Sequence, residues 1–310
     1  MTKPKNIFGA GTMRTGGTLV CNLLSTHKEV IILADVIHFF RYIYKRYDPI
    51  KSKSLLYKLC GELSLRLKLR DDINIDKEIF FKTVLKNKAK SYSDVYECIF
   101  EVILKKIKNK KVIGEYANGE WRSIGHFLSF KKENIAFHVI RDPRAVLSSW
   151  KKITFSKGYK YLNAIFNWVD SFDSHLEYKK KYNNKKYLLI KFEDIHKNPK
   201  KMSEKLCKFL KIKFDKNMID TKKWKKLLNN RFVYVNESAY DYKSKVYGFS
   251  IDRINSWQKH LRPWEINLVD YICGKKLKKM GYKPSRLINS LTLKGIKILN
   301  PDRILIAVTP

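Results

Sequence analysis

Short apolar runs alternate along this chain with stretches whose apolar residues recur every three or four positions, and the two periods predict strands and helices in turn. Ile7 and Phe8 form a strand-like run that enters Gly9-Ala-Gly-Thr-Met-Arg-Thr-Gly-Gly-Thr18, and Leu19, Val20, Leu23 and Leu24 leave it on one helical face. A short strand is expected at Val30–Ala34. Residues 36–109 read as a long helical insertion, with Tyr42, Tyr44, Leu55, Leu56, Leu59 and Leu63 apolar among charges. A strand at 111–114, a helix near 121–130 and a buried strand at 134–140 follow. Val146, Leu147 and Trp150 then give the next helix an apolar face, and Tyr161, Ile165, Trp168 and Phe172 mark another before a strand at Tyr187–Lys191. Strands alternating with helices predict an α/β protein with a central parallel sheet flanked by helices. No internal repeat interrupts the order.

Composition narrows this only in places. The 310 residues are 44% hydrophobic, enough for one substantial core, and the element spacing suits a single elaborated domain over 1–282 with an extension at 283–310 that holds an apolar run at 304–308. No run approaches the roughly 18 apolar residues of a membrane span. The glycine loop begins so near Met1 that a cleaved leader would remove part of it, which predicts a cytoplasmic protein. Five scattered cysteines, Cys21, Cys60, Cys98, Cys207 and Cys273, lack paired metal spacing and read as reduced packing residues, so no metal is expected. The formal charge of +36 is compatible with nucleic acid, an acidic substrate or peripheral contact with an acidic membrane surface. Abundant Ile, Asn, Tyr and Phe beside the lysines point equally to A- and T-rich codons, and the lysine runs read as solvated helix faces.

The chemistry concentrates in two segments. A glycine-rich turn between strand and helix lets backbone N–H groups converge on an anion at the positive end of the helix, and Arg14 adds a permanent cation. The Gly-Lys-Ser/Thr ending of a nucleoside-triphosphate loop is absent. In the second segment Arg141 follows the 134–140 strand, Asp142 and Pro143 suit a helix start, and Ser149 lies about two turns along. An arginine and a hydroxyl so placed suit a second phosphate. Taken alone, the first segment also fits an ordinary glycine turn, and the second a capped helix whose arginine makes a surface ion pair.

Together the two segments resemble the PAPS-dependent sulfotransferase family, whose donor is 3′-phosphoadenosine 5′-phosphosulfate. Met13 to Leu19 is similar to the family's 5′-phosphosulfate loop, and Arg141 to Ser149 to its 3′-phosphate motif. His27-Lys-Glu-Val30, Ile190-Lys-Phe-Glu-Asp-Ile195 and the segment from Ile254 through Trp257 to Gly281-Tyr282 are weaker echoes in the family's order. The resemblance implies a P-loop-like three-layer fold. It also implies PAPS as co-substrate and PAP as product without a metal, and transfer to a hydroxyl of a small molecule, carbohydrate or lipid-linked glycan. Arg14, Thr15, Gly16, Gly17 and Thr18 would hold the 5′ side, and Arg141 and Ser149 the 3′-phosphate. Lys245 or Arg253 would reach over the nucleotide. Arg14 would also serve turnover, and Asp35, His38 and Glu115 compete for the role of base. Gly17 departs from the family's Thr or Ser, Phe192 from its Tyr, and Gly114-Glu-Tyr-Ala-Asn118 from its Lys-Ser/Thr-Pro pattern. A P-loop nucleotide kinase-like enzyme and a non-enzymatic, basic nucleic-acid-binding protein are the rival classes. Neither accounts for the ordered segments, and no specific nucleic-acid partner is expected.

Overall fold

The structure is a computed structural model that describes residues 5–71, 74–106, 110–153, 158–221, 240–241 and 246–285. Five parallel strands form its sheet: β1 (Lys5–Gly11), β2 (Val30–Ala34), β3 (Val112–Asn118), β4 (Ile135–Ile140) and β5 (Tyr187–Lys191), ordered β2-β3-β1-β4-β5. From β1 the chain builds two strands to one side and then two to the other. The reversal places a crevice at the carboxyl end of β1, where open parallel sheets bind ligands.

Period-two alternation decides which layer each strand residue joins. Ile31 and Leu33 face a cluster with Phe39, Leu59, Leu63, Tyr96 and Phe127, whereas Val30 and Ile32 face Leu19, Leu23 and Leu206. The first layer is built by α2 (Phe39–Tyr42), α3 (Lys53–Asp71), α4 (Lys77–Lys86), α5 (Tyr92–Lys106) and α6 (Ser123–Phe130), all but the last inserted between β2 and β3. The opposite layer holds α1 (Gly17–Ser25), α9 (Phe192–Lys197) and α10 (Pro199–Leu210). A third cluster packs α7 (Pro143–Ile153), α8 (Asn163–Lys181) and α12 (Pro263–Lys279) around Trp168, Trp257 and Val269, next to a short α11 (Asp252–Asn255). The sheet is therefore covered on both faces, as an all-parallel sheet requires.

One sequence expectation changes in extent. The strand expected at 111–114 runs on to Asn118, because Tyr116 and Ala117 are buried on opposite faces and Gly11 pairs opposite Asn118. Lys245 and residues 286–310, with the apolar run at 304–308, lie outside the described residues. All five cysteines are buried and free. Among the described residues no helix is long and apolar enough to cross a membrane.

Three imidazoles are sealed among apolar groups as neutral rings. His138 on β4 bonds to Tyr187 Oη at 3.0 Å and Ser171 Oγ at 2.7 Å, and His175 reaches the same phenol at 3.0 Å. Burial drives His138 down to about 3, with His175 repelling its charge, drives His175 down to about 4, and drives His196 down to about 3. Each ring binds a proton more readily unfolded than folded, so its contribution to stability is lost as pH falls below the unfolded value of about 6.5. Urea denaturation should therefore show the wild type losing about 1.4 kcal/mol per pH unit relative to His138→Asn between pH 6 and 4. A gap that stays constant with pH would mean that His138 is not a buried neutral ring.

Candidate anion site and acid-base cluster

The loop after β1 turns through two left-handed residues, Arg14 at φ 71° and Gly16 at φ 92°. A Cβ on Gly16 would lie 2.3 Å from Phe192 Cδ2, so both backbone and packing call for glycine there. Thr15 is buried and its hydroxyl donates to the Thr12 carbonyl at 2.7 Å, which tightens the turn from within. Gly16 offers no side-chain cap to α1, so the first-turn N–H groups, including that of half-buried Thr18, face an anion without competition.

Arg141, at the end of β4, is brought onto this loop. Its Nη1 donates to the Arg14 carbonyl at 3.3 Å, its Nη2 donates to the Arg253 carbonyl at 2.9 Å, and the guanidinium stacks 4.0 Å from the Phe192 ring centre. Arg14 Nε donates to Ser149 Oγ at 2.9 Å. Arg14, Arg141 and Ser149, which are distant in sequence, thus meet at the carboxyl ends of β1 and β4. Burial lowers both guanidinium pKa values, Arg141's to about 10, and both stay cationic at neutral pH. Among the described residues neither makes an ion pair, and Arg141 Nε is buried without a hydrogen-bond partner. Two adjacent cations with a spare N–H and open helix amides are the chemistry that suits a multiply charged anion.

Nearby carboxylates are committed elsewhere. Glu193 Oε1 accepts from the Asp142 backbone at 2.8 Å, and its Oε2 accepts from the Tyr282 hydroxyl at 2.8 Å. Burial raises the Glu193 pKa, which weakens it further as a partner for Arg141. Asp142 caps α7 by accepting from Arg144 N at 2.9 Å, and it takes the Arg144 guanidinium at 3.0 and 2.7 Å. Arg144 also reaches Asp270 at 3.5 Å and the Lys283 carbonyl at 2.9 Å, and lies 4.3 Å from the Trp257 ring centre. The turn that aims Arg141 is thereby tied to α12 and to the segment after it. Trp168 Nε1 fixes the Arg141 carbonyl at 2.8 Å.

A second cluster lies beside the loop, at the carboxyl ends of β2 and β3. Asp35 accepts from Asn118 N at 2.7 Å and from its side-chain amide. His38 Nδ1 bonds to Glu120 Oε1 at 2.6 Å, and its Nε2 lies 3.5 Å from Asp35 Oδ1. Asp35 and His38 both hold positive φ, 58° and 51°, conformations that cost non-glycine residues energy and that surrounding structure must enforce. Gly119 N donates to the Gly11 carbonyl at 2.9 Å, which ties this cluster to the start of the anion loop.

The remaining predicted residues divide. Arg253 enters through its backbone carbonyl, and Lys245 lies outside the described residues. Glu115 must be corrected as a base that meets an acceptor directly. Alternation along β3 turns it to the helical-insertion side, where it is wholly buried, and burial with the nearby Glu120 charge holds its pKa well above the carboxylate range. Sequence reasoning missed Glu120, Asn118 and the packing role of Phe192. The extended reading of β3 to Asn118 was the one signal that could have placed the first two at the sheet edge.

The chain matches the model of a sulfotransferase family over residues 4–216, and it belongs to that family. Among solved structures, the sulfotransferase domain from the Synechococcus PCC 7002 olefin synthase aligns with a TM-score of 0.55 at 18% identity, covering 88% of this chain and 96% of that one. The sulfotransferase domain from the curacin biosynthetic pathway aligns at 0.54 and 14% identity, covering 92% of this chain and 100% of that one. These likenesses establish the sulfotransferase fold. No curated protein matches by sequence.

The two charge arrangements predict opposite responses. Arg144→Ala leaves Asp142 and Asp270 buried without their cation and should cost about 3–5 kcal/mol of stability. Arg14→Ala relieves like-charge repulsion and should leave stability without ligand unchanged or raised. Thermal denaturation of the two variants checks this, and a marked loss in Arg14→Ala would contradict an uncompensated cation pair.

Proposed function

We propose that this protein is a PAPS-dependent sulfotransferase acting on a hydroxyl of a carbohydrate, lipid-linked glycan or other small molecule. The observation that carries the reading is the meeting of Arg14, Ser149 and Arg141 in one crevice, with an Arg14–Ser149 hydrogen bond of 2.9 Å and no carboxylate paired to either arginine among the described residues. An adenosine carrier with phosphates at two positions suits that arrangement better than a single phosphate, since the loop amides and Arg141 offer separate groups. The orphan Arg141 Nε fits such a polyanion. Bound there, PAPS supplies an activated sulfuryl group and leaves as PAP.

The chain's own residues then have distinct tasks. The loop amides and Thr18 bind the 5′ side. Arg14, tethered by Ser149, keeps a fixed positive charge over the loop, and preorganised charge of this kind stabilises a leaving phosphate. Arg141, pinned by two carbonyls and Phe192, holds the other phosphate. His38 is the base we favour: with Nδ1–H donated to Glu120, its Nε2 is free to accept the acceptor's proton, and the resulting imidazolium lies between Glu120 and Asp35. Asp35 is already engaged by two Asn118 donors, which suits it to orientation rather than proton removal.

A thermal-shift series with PAP, PAPS, AMP and ATP should show PAP and PAPS stabilising most. Equal stabilisation by magnesium-ATP would favour a kinase-like enzyme instead. With labelled PAPS and a glycan acceptor panel, Arg14→Ala should lower kcat by about 100-fold or more. Arg141→Ala should instead weaken PAP binding by about tenfold or more. His38→Ala should lower kcat by about 100-fold with PAP affinity intact, and Glu120→Gln should fall between it and wild type. Unchanged turnover in His38→Ala would remove it as the base.

A further inference from the structure

Gly17 and Tyr116 occupy each other's space. A Cβ on Gly17 would lie 2.0 Å from Tyr116 Cζ and 2.2 Å from its hydroxyl oxygen, so the phenol stands where a side chain at position 17 would emerge. A Cβ on Gly11 would lie 3.0 Å from the same oxygen, which places the hydroxyl under the loop between the end of β1 and the first residue of α1. Tyr116 is fully buried, its ring stacks on Phe137 with centroids 5.9 Å apart, and its hydroxyl, whose polar neighbour is the Thr15 hydroxyl, meets no partner at hydrogen-bond geometry. The neighbouring Thr15 hydroxyl already donates to Thr12. A buried O–H without a well-placed partner is costly, and it stands where a side chain of residue 17 would otherwise emerge beside the loop amides.

We infer that the Tyr116 hydroxyl replaces the missing side chain of residue 17 and donates to the anion held by the loop. Gly17 is then the condition that admits a donor from the neighbouring strand. β3 delivers the ring because alternation turns Tyr116 to the α1 side of the sheet while Glu115 and Ala117 face the insertion. The donor stays ordered without ligand because the ring is fully buried and stacks on Phe137. This inference rests on the anion-binding reading above and extends it to a residue outside the loop.

Calorimetric titration of PAP into wild type and Tyr116→Phe tests it. Loss of the hydroxyl should weaken PAP binding by about tenfold or more. The melting temperature without ligand should hold or rise, because only an unpartnered buried group is removed. Equal PAP affinity in the two proteins overturns the inference and leaves PAP as ligand untouched. A large fall in ligand-free stability overturns it too, since the phenol would then be structural. If wild type does not bind PAP, the donor assignment fails, and sulfate and pyrophosphate titrations decide for Tyr116. Weaker binding in Tyr116→Phe upholds it, and equal or absent binding in wild type overturns it. As a second measure, Tyr116→Ala combined with Gly17→Ser should bind PAP more tightly than Tyr116→Ala alone. Equal binding by those two would deny that the positions share one task.

Discussion

Everything at the crevice depends on holding a buried guanidinium in place without neutralising it. Arg141 is held by neutral partners, two carbonyls and the face of Phe192, rather than by a direct ion pair among the described residues. Pairing with Glu193 would have been simpler electrostatically. Tyr282 and the Asp142 backbone occupy that carboxylate instead, and Arg144 absorbs Asp142 and Asp270. The buried ionic network therefore supports the anion site from behind. Ion pairs on Arg144 set the geometry of Arg141, which makes none among the described residues.

The same sheet edge organises the acid-base cluster. β2 and β3 end side by side, with Ala34 opposite Tyr116, so Asp35 and Asn118 meet without any long connection. Positive φ at Asp35 and His38 shows the backbone bent against its preference to bring both side chains inward. Asn118 and Glu120 supply the bonds that offset this cost, and the Gly119–Gly11 hydrogen bond keeps the cluster in register with the loop.

Much of this was legible in the sequence where chemistry is local. The loop from Gly9 to Thr18, the Arg141-to-Ser149 interval and the Asp142 cap are contiguous patterns with strong backbone preferences, and they lie where periodicity put them. What escaped is tertiary. Glu120 looks like any acidic residue after a strand until β3 is extended to Asn118. Phe192 reads as a departure from Tyr, yet its ring packs both Gly16 and Arg141, a contact no linear spacing encodes. Glu115 was misjudged because strand alternation decides its face, and a strand ended at residue 114 hides that alternation.

The long excursion between β2 and β3 leaves and re-enters the sheet at two adjacent strands that pair in register from Val30 and Val112. Closing such an excursion becomes only slowly more expensive as it lengthens. Its helices also pack on the face of the sheet opposite α1. Changes within this module therefore reach the loop and α1 only through the sheet between them.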